Sequence, residues 1–193
     1  MKKVERQELL DLGAYEQVRP HFRGRVIEHK RHRRVSVGEH MTFVFENHDT
    51  VLLQIQEMLR TERITDERAI AHELETYNEL VPTPGNLSAT QLIEYDDSDE
   101  RARMLERFAS LRTAVQLRIG DDVFVARFAT HFGEEMERLP AVNYLSFEVG
   151  TQHAARLLDP SVAVRVEITH PDYPMSVELD RATRAELAAD LNA

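Results

Sequence analysis

The sequence predicts a single α+β domain in which helices pack on a largely antiparallel sheet. Runs of β-branched and aromatic residues are separated by hairpin turns in some places and by helices in others, without a regular βαβ alternation. The chain has 193 residues, 42% of them hydrophobic, which suits the core of one domain. No repeat or long linker divides it. We expect a basic helical segment at 1–40, an acidic strand–helix–helix–strand stretch at 41–100 and a β-rich part at 101–193.

The amino-terminal segment is predicted to be helical. Residues 4–12 suit a short helix, and from Tyr15 apolar residues recur at helical spacing to about His32. Pro20 would kink this helix because proline lacks the amide hydrogen. The alternative is a helix that begins near Arg19, where proline would sit in the first turn.

The stretch from His40 to Tyr95 organises the prediction. A strand at 41–45 is followed by a helix that Asp49 or Thr50 would cap and that runs to about Arg60. Asp66 would cap a second helix, which Pro82 and the turn after it end, so that a helical pair occupies residues 48–81. A strand at 87–95 follows.

The remaining elements alternate between strands and helices. A cap at Ser98 or Asp99 predicts a helix, and the turn at Gly120 predicts a hairpin. The expected order is helix 99–110, hairpin 114–128, a loop or short helix at 131–139, strand 142–149, helix 151–158, strand 162–168, a turn at 170–174, strand 176–179 and helix 183–191.

Polar residues of the central stretch form two candidate groups. Glu46, Asn47, Gln54 and Glu94 suit a polar network, and in part this network could simply fix the strand–helix junction. Metal ligation is the alternative use of carboxylates here.

The candidate metal ligands are Glu57, Glu62, His72 and Glu75. Glu62 would project into the apolar face of the first helix of the pair, where a carboxylate is costly unless it is paired or ligating. His72, Glu75 and Glu79 share one face of the second helix at spacings that let all three reach one ion. Oxygen and imidazole ligands suit iron, manganese or zinc. An ordinary solvated face explains the same pattern, so a metal site requires that at least three such residues converge.

A basic cluster at residues 29–34 is the candidate anion site. Arg31, Arg33 and Arg34 could bind a phosphate, a nucleotide or an acidic partner, since arginine makes bidentate contacts. The alternative is that these cations offset the unpaired carbonyl groups at a helix C-terminus.

A set of short motifs is spread along most of the chain. The motifs are Phe45-Glu46-Asn47, Thr50, Gln54-x-x-Glu57-Met58-Leu59, Glu62, Glu73-Leu74, Tyr77-Asn78-Glu79-Leu80, Pro82, Leu87-Ser88-Ala89-Thr90, Ile93-Glu94-Tyr95, Tyr144-x-x-Phe147 and His170-Pro171-x-Tyr173. With these motifs the chain resembles an uncharacterised bacterial family, a domain of unknown function. Genes for rubrerythrin-like and iron–sulfur oxidoreductase proteins often neighbour this family, so the resemblance implies a role beside redox or oxidative-stress machinery. It assigns no residue a function.

Composition excludes several functions. The chain has no cysteine, so it cannot hold a cysteine-ligated cluster. The net charge of −10 argues against general nucleic-acid binding. Residues 41–100 carry 3 Lys and Arg against 14 Asp and Glu, whereas residues 1–40 carry 10 against 6, which suggests a protein partner. With neither a secretion signal nor a membrane span, we expect a cytoplasmic protein.

The glycine pattern lacks a nucleophile elbow, a P-loop and a Rossmann fingerprint, which favours a non-enzymatic protein. The leading prediction is therefore an accessory or binding protein. A metal-dependent protein or enzyme and an anion- or nucleotide-binding module are the alternatives.

Overall fold

Two antiparallel sheets pack face to face around the main core. The computed structural model describes residues 1–129 and 138–193. In those residues the five-stranded sheet has the order β1-β2-β3-β7-β6 and the four-stranded sheet the order β5-β4-β8-β9. The strands are β1 Arg34–Val37, β2 Met41–Phe45, β3 Asn86–Ile93, β4 Val115–Ile119, β5 Asp122–Val125, β6 Arg127–Phe128, β7 Val142–Glu148, β8 Val164–His170 and β9 Tyr173–Glu178.

Six α-helices surround the two sheets in the described part of the chain. They are α1 Leu12–Lys30, α2 His48–Thr61, α3 Glu67–Tyr77, α4 Ser98–Arg107, α5 Ala154–Leu158 and α6 Arg181–Leu191. Short 3₁₀ turns occupy Arg6–Glu8, Asn78–Leu80, Phe108–Thr113 and Thr151–His153. The α+β class, the single domain and the antiparallel pairing are confirmed. The expected loop or short helix at 131–139 lies mostly outside the described residues.

The five-stranded sheet is covered on both faces. Phe43, Phe45 and Phe147 turn toward the four-stranded sheet and join its residues in the main core. On the opposite face α2 and α3 form a second core, in which Val51, Ile55 and Tyr77 pack together. Every residue of β2 is consequently buried, unlike a strand with one solvated face.

The β4–β5 hairpin turns at Gly120, as predicted, with φ of +61°. The predicted second strand of the hairpin differs from the structure. It divides at the buried Ala126, so that β5 stays with β4 while β6 pairs with β7 in the other sheet. One segment therefore joins the two sheets along this edge. At the other edge Tyr173 of β9 links the four-stranded sheet to β1 of the five-stranded sheet, because its hydroxyl donates to the Val37 carbonyl oxygen at 2.8 Å.

The helix starts show where local signals are decisive. Asn47, and not Asp49 or Thr50, caps α2. The Asn47 side chain accepts a hydrogen bond from the Thr50 backbone N–H, and the Thr50 hydroxyl accepts one from the Asn47 backbone N–H. Asp66 caps α3 as predicted. The capping side chain of Asp11 starts α1 at Leu12, so Pro20 lies inside the helix and not in its first turn.

The amino-terminal segment is held mainly by side-chain amides. Of the helix expected at 4–12, only the turn at Arg6–Glu8 forms. The Asn78 amide group bonds both the backbone nitrogen and the carbonyl oxygen of Val4, at 2.8 and 2.9 Å. Gln56 does the same for Leu10, at 2.9 and 3.0 Å. These two buried amides substitute for a neighbouring strand, because each offers one donor and one acceptor.

Candidate functional site

A cavity of about 190 Å³ lies on the helix-covered side of the five-stranded sheet. Cavities of about 150 Å³ can admit a benzene-sized molecule. Ser88 on β3 and Ser146 on β7 are register partners and contribute to its floor. The end of α3 and the turn after it form one wall, and residues 127–129 form another. The lining residues are Thr76, Tyr77, Glu79, Leu80, Ser88, Arg127, Phe128, Ala129, Tyr144, Leu145 and Ser146.

Two tyrosines dominate the chemistry of this cavity. Burial raises the pKa of Tyr77 to about 12, and the neighbouring Tyr144 and Glu73 add to the effect. Burial also raises the pKa of Tyr144, helped by the charge of Glu46 and opposed by a hydrogen bond from Gln54. Both side chains are therefore neutral phenols at physiological pH and can donate or accept hydrogen bonds.

Tyr77 is 9% exposed and lines the cavity. Within residues 1–129 and 138–193 its hydroxyl makes no hydrogen bond to protein. The hydroxyl is thus available to a molecule that enters the cavity.

Glu46 lies beside the same surface and is 2% exposed. Its Oε1 accepts from the Thr90 hydroxyl at 2.6 Å, and its Oε2 accepts from the Thr50 hydroxyl. Thr90 stands opposite Tyr144 in the β3–β7 register, which places the carboxylate next to the cavity wall. No Lys, Arg or His of the described chain forms an ion pair with Glu46. This buried negative charge is satisfied by hydroxyls alone.

Three residues of the predicted polar network lie near one another, and the fourth does not. Asn47 caps α2, Glu46 bonds to Thr50, and the Gln54 amide donates to the Tyr144 hydroxyl at 3.3 Å. Glu94 instead lies at the opposite end of β3, where Arg34 approaches it at 3.5 Å and both side chains are about half exposed. The strand–helix junction and the cavity therefore share one set of polar side chains.

Glu57, a predicted metal ligand, joins α2 to α1. Its carboxylate accepts from Arg19 Nε at 2.7 Å, from Arg19 Nη2 at 2.9 Å and from the Tyr15 hydroxyl at 2.6 Å. The Arg19 hydrogen bond lowers the pKa of Glu57 to about 2, because these donors stabilise the ionised form more than burial opposes it. Burial, together with the hydrogen bond to Glu57, raises the pKa of Tyr15.

The other candidate metal ligands do not converge. Glu62 is the exposed C-terminal cap residue of α2, while His72 and Glu75 lie on the exposed side of α3. In the described ranges no group of three His, Asp or Glu side chains is placed to hold an ion. A metal centre at Glu57, Glu62, His72 and Glu75 stays a prediction without geometric support.

The three arginines of the predicted anion site have separate environments. Arg33 is 2% exposed and binds Asp190 through both terminal nitrogens, at 2.6 and 3.1 Å, and Glu186 at 2.6 Å. Arg31 is exposed and contacts Glu28, and Arg34 approaches Glu94. Burial raises the pKa of Asp190 despite the opposing contact with Arg33. An anion shared by the three would have to displace an internal carboxylate from Arg33.

Ser110 and His170 form a serine–histidine pair whose geometry decides whether it could act as a catalytic dyad. Ser110 Oγ lies 3.0 Å from His170 Nε2, but the Asp172 amide donates to His170 Nδ1 at 3.2 Å. Nδ1 is therefore the acceptor, and in the neutral ring Nε2 carries the hydrogen and donates to Ser110. That tautomer cannot accept the serine proton, so the pair is structural as it stands.

Sequence reasoning missed the cavity residues. In the sequence, Tyr77 and Tyr144 stand out only as members of the family motifs, which assign no residue a function. Ser88 and Thr90 give no local signal of a site.

Among the described residues, every helix is too short or too polar to cross a lipid bilayer.

The fold and site define an α+β protein with two antiparallel sheets and a small aromatic-lined cavity under a helical pair. The chain belongs to the family described as protein of unknown function DUF3501, whose model matches residues 3–191. It is also similar to a crystal structure of a novel protein of unknown function from Burkholderia pseudomallei K96243. That structure is 36% identical, has a TM-score of 0.92, and the match covers 99% of this chain and all of the other. No curated protein matches the chain. Neither match assigns a ligand, an activity or a gene neighbourhood.

Proposed function

We propose that this protein is a non-enzymatic binding protein that takes a small organic molecule into the cavity between α3 and the β3–β7 pair. The observation that carries the proposal is the Tyr77 hydroxyl, which lines this cavity without a protein partner in the described chain. Because this hydroxyl opens into the cavity, a ligand can take the place of water as its hydrogen-bond partner. Apolar walls with a few polar groups are typical of ligand pockets.

The chemistry of the site favours binding over catalysis. A general acid or base works best with a pKa near the operating pH, and the pKa values of both cavity phenols are raised away from neutrality. The cytoplasmic location and the role beside redox or oxidative-stress machinery are parts of this proposal for which the sequence and the family resemblance are the support.

Benzyl alcohol is the probe for this proposal. In an NMR titration it is expected to shift amide signals of β3, β7 and the end of α3, with a Kd of about 1 mM for so few atoms. Ser146→Phe is expected to abolish these shifts, because Ser146 lines the cavity floor and a phenyl ring there would occupy the space.

Ser176→Phe is the matched control, since Ser176 is an exposed residue of β9 in the other sheet. It should leave the titration unchanged. Absence of shifts with the unmodified protein, or equal shifts with Ser146→Phe, would contradict binding in this cavity.

A second candidate function is recognition of an acidic protein partner by α1. Arg23 and Arg25 are exposed and form no ion pair with a carboxylate in the described chain. Arg25 lies over the Phe22 ring, 5.2 Å from its centroid. This helix contributes to the positive balance of residues 1–40 in a protein of net charge −10. Such a surface steers an acidic partner toward α1.

A poly-glutamate peptide is the probe for this second candidate. We expect binding that weakens as NaCl rises from about 0.05 to 0.5 M, because salt screens exposed charges. The double variant Arg23→Glu/Arg25→Glu should abolish it. Arg68→Glu/Arg103→Glu makes the same charge change at exposed positions of α3 and α4 and should retain binding. Equal loss in both variants would contradict a specific α1 surface.

A further inference from the structure

The charges around the cavity are arranged asymmetrically. Arg127 is the basic residue among those that line it, and it lies at the exposed rim. Its guanidinium contacts Glu148 at 2.5 Å, and its side chain is 70% exposed. Its charge is therefore screened by water and by a carboxylate, and it contributes little to the potential inside the cavity.

Glu46 places a negative charge in a buried position, whereas the positive charge of Arg127 is exposed to water. Glu46 has both oxygens occupied by threonine hydroxyls and no cationic partner in the described residues. The Thr90 that binds it stands opposite Tyr144, a cavity-lining residue. Interactions of a buried charge are screened much less than those of an exposed one. Its field is also felt at the cavity wall, where it helps to raise the pKa of Tyr144.

The rings that line the cavity add to this preference. Tyr77 and Tyr144 both contribute to its surface, whereas Phe128 packs against the main core. The face of an aromatic ring carries partial negative charge and attracts a cation placed over it. The Tyr77 oxygen can in addition accept a hydrogen bond from an ammonium group, because a neutral phenol is an acceptor as well as a donor.

We infer that the cavity selects a small organic cation: a primary or substituted ammonium group attached to a short apolar or aromatic body. The aromatic walls and Leu80 hold the apolar body. The rings, the Tyr77 oxygen and the buried Glu46 favour the positive group. A ligand anion would meet the same negative potential and would be rejected. This inference rests on the proposed function and names the class of ligand for the same site.

Three compounds of nearly equal size and shape test the inference: benzylamine, which is a cation at pH 7, neutral benzyl alcohol and anionic benzoate. By NMR titration we expect benzylamine to bind about tenfold more tightly than benzyl alcohol, within the range of cation–π and buried-charge effects. Benzoate is expected not to bind. The measurement uses the unmodified full chain, so it needs no variant that could fail to fold.

Glu46→Gln separates the charge from the shape of the site. Glutamine keeps the size of the side chain and can still bond the two threonine hydroxyls. We expect the preference for benzylamine to fall to about twofold or less, within the residual contribution of the rings, while the affinity for benzyl alcohol is unchanged. Glu94→Gln, at the opposite end of β3, is the control and should keep the full preference.

The outcomes distinguish this inference from the proposed function. If benzyl alcohol binds and benzylamine binds no more tightly, the inference about cations is overturned while a ligand-binding cavity stands. If none of the three compounds binds, the proposed function fails and the inference fails with it. If Glu46→Gln folds and keeps the full preference, Glu46 is not the source of the selectivity, and the proposal as stated is overturned.

Discussion

Replacing Arg33 by alanine is expected to lower the free energy of unfolding by about 3–5 kcal/mol, the usual cost of removing one partner of a buried ion pair. Arg33 and Asp190 are each 2% exposed, and their side chains meet through two hydrogen bonds. Without the guanidinium, the Asp190 carboxylate stays buried with no counter-charge. Chemical denaturation at neutral pH measures the loss.

Two further variants test the physical reason for that loss. Arg33→Met/Asp190→Leu removes both charges and is expected to recover most of the lost stability, because an apolar pair of similar volume avoids the cost of dehydrating ions. Glu186, the other carboxylate that contacts Arg33, is 41% exposed, so it can turn to water once the guanidinium is removed. Arg31→Ala is the matched control, since Arg31 is exposed on the neighbouring turn, and it should change stability by no more than about 0.5 kcal/mol. An Arg33→Ala variant as stable as Arg31→Ala would contradict the buried pair.

Replacing Glu57 by glutamine is expected to destabilise the protein at neutral pH and much less in acid. The pKa of Glu57 falls from 4.5 to about 2 on folding, mainly through the Arg19 hydrogen bond. A carboxylate whose pKa is lower in the folded protein than in the unfolded chain stabilises the fold. This stability is fully present above the pKa of the unfolded chain and is lost as the pH falls through the pKa of the folded protein. The shift corresponds to about 3 kcal/mol, which solvent screening at this partly exposed site lowers to about 2 kcal/mol.

Denaturation curves of the unmodified protein and Glu57→Gln, recorded at several pH values, measure this effect. The difference between them should be constant above about pH 5 and should shrink between pH 4.5 and pH 2. Glu62→Gln is the control, because Glu62 is exposed at the end of the same helix. It should show no such pH dependence. A Glu57→Gln difference that does not shrink in acid would contradict the ionic origin of the effect.

Arg33, from the predicted anion site, and Glu57, from the predicted metal site, both form internal ion pairs in the structure. Arg33 belonged to a cluster predicted to bind an anion, and its carboxylate partner Asp190 lies 157 residues away in the chain. Glu57 is a predicted metal ligand, and its carboxylate accepts hydrogen bonds from Tyr15 and Arg19 of α1. In both cases the partner comes from an element distant in the chain, which the local charge pattern does not reveal.

Local physical chemistry sufficed for much of the fold. The alternation of apolar residues, the cap at Asp66, the turn at Gly120 and the helix-ending Pro82 act within a few residues of the chain, so the sequence alone determined the element types and the α+β class. Sequence also suggested that Glu46, Asn47 and Gln54 belong together, because they flank one strand–helix junction.

Tertiary structure alone decided which sheet each strand joins and where the cavity lies. A continuous apolar run does not reveal that it divides at Ala126 between two sheets, because the pairing depends on partners far along the chain. Tyr77, Thr90 and Tyr144 come from α3, β3 and β7, and each looks ordinary in its own element. They meet only when α2 and α3 fold over the sheet, and long-range packing of that kind leaves no periodic signal in sequence.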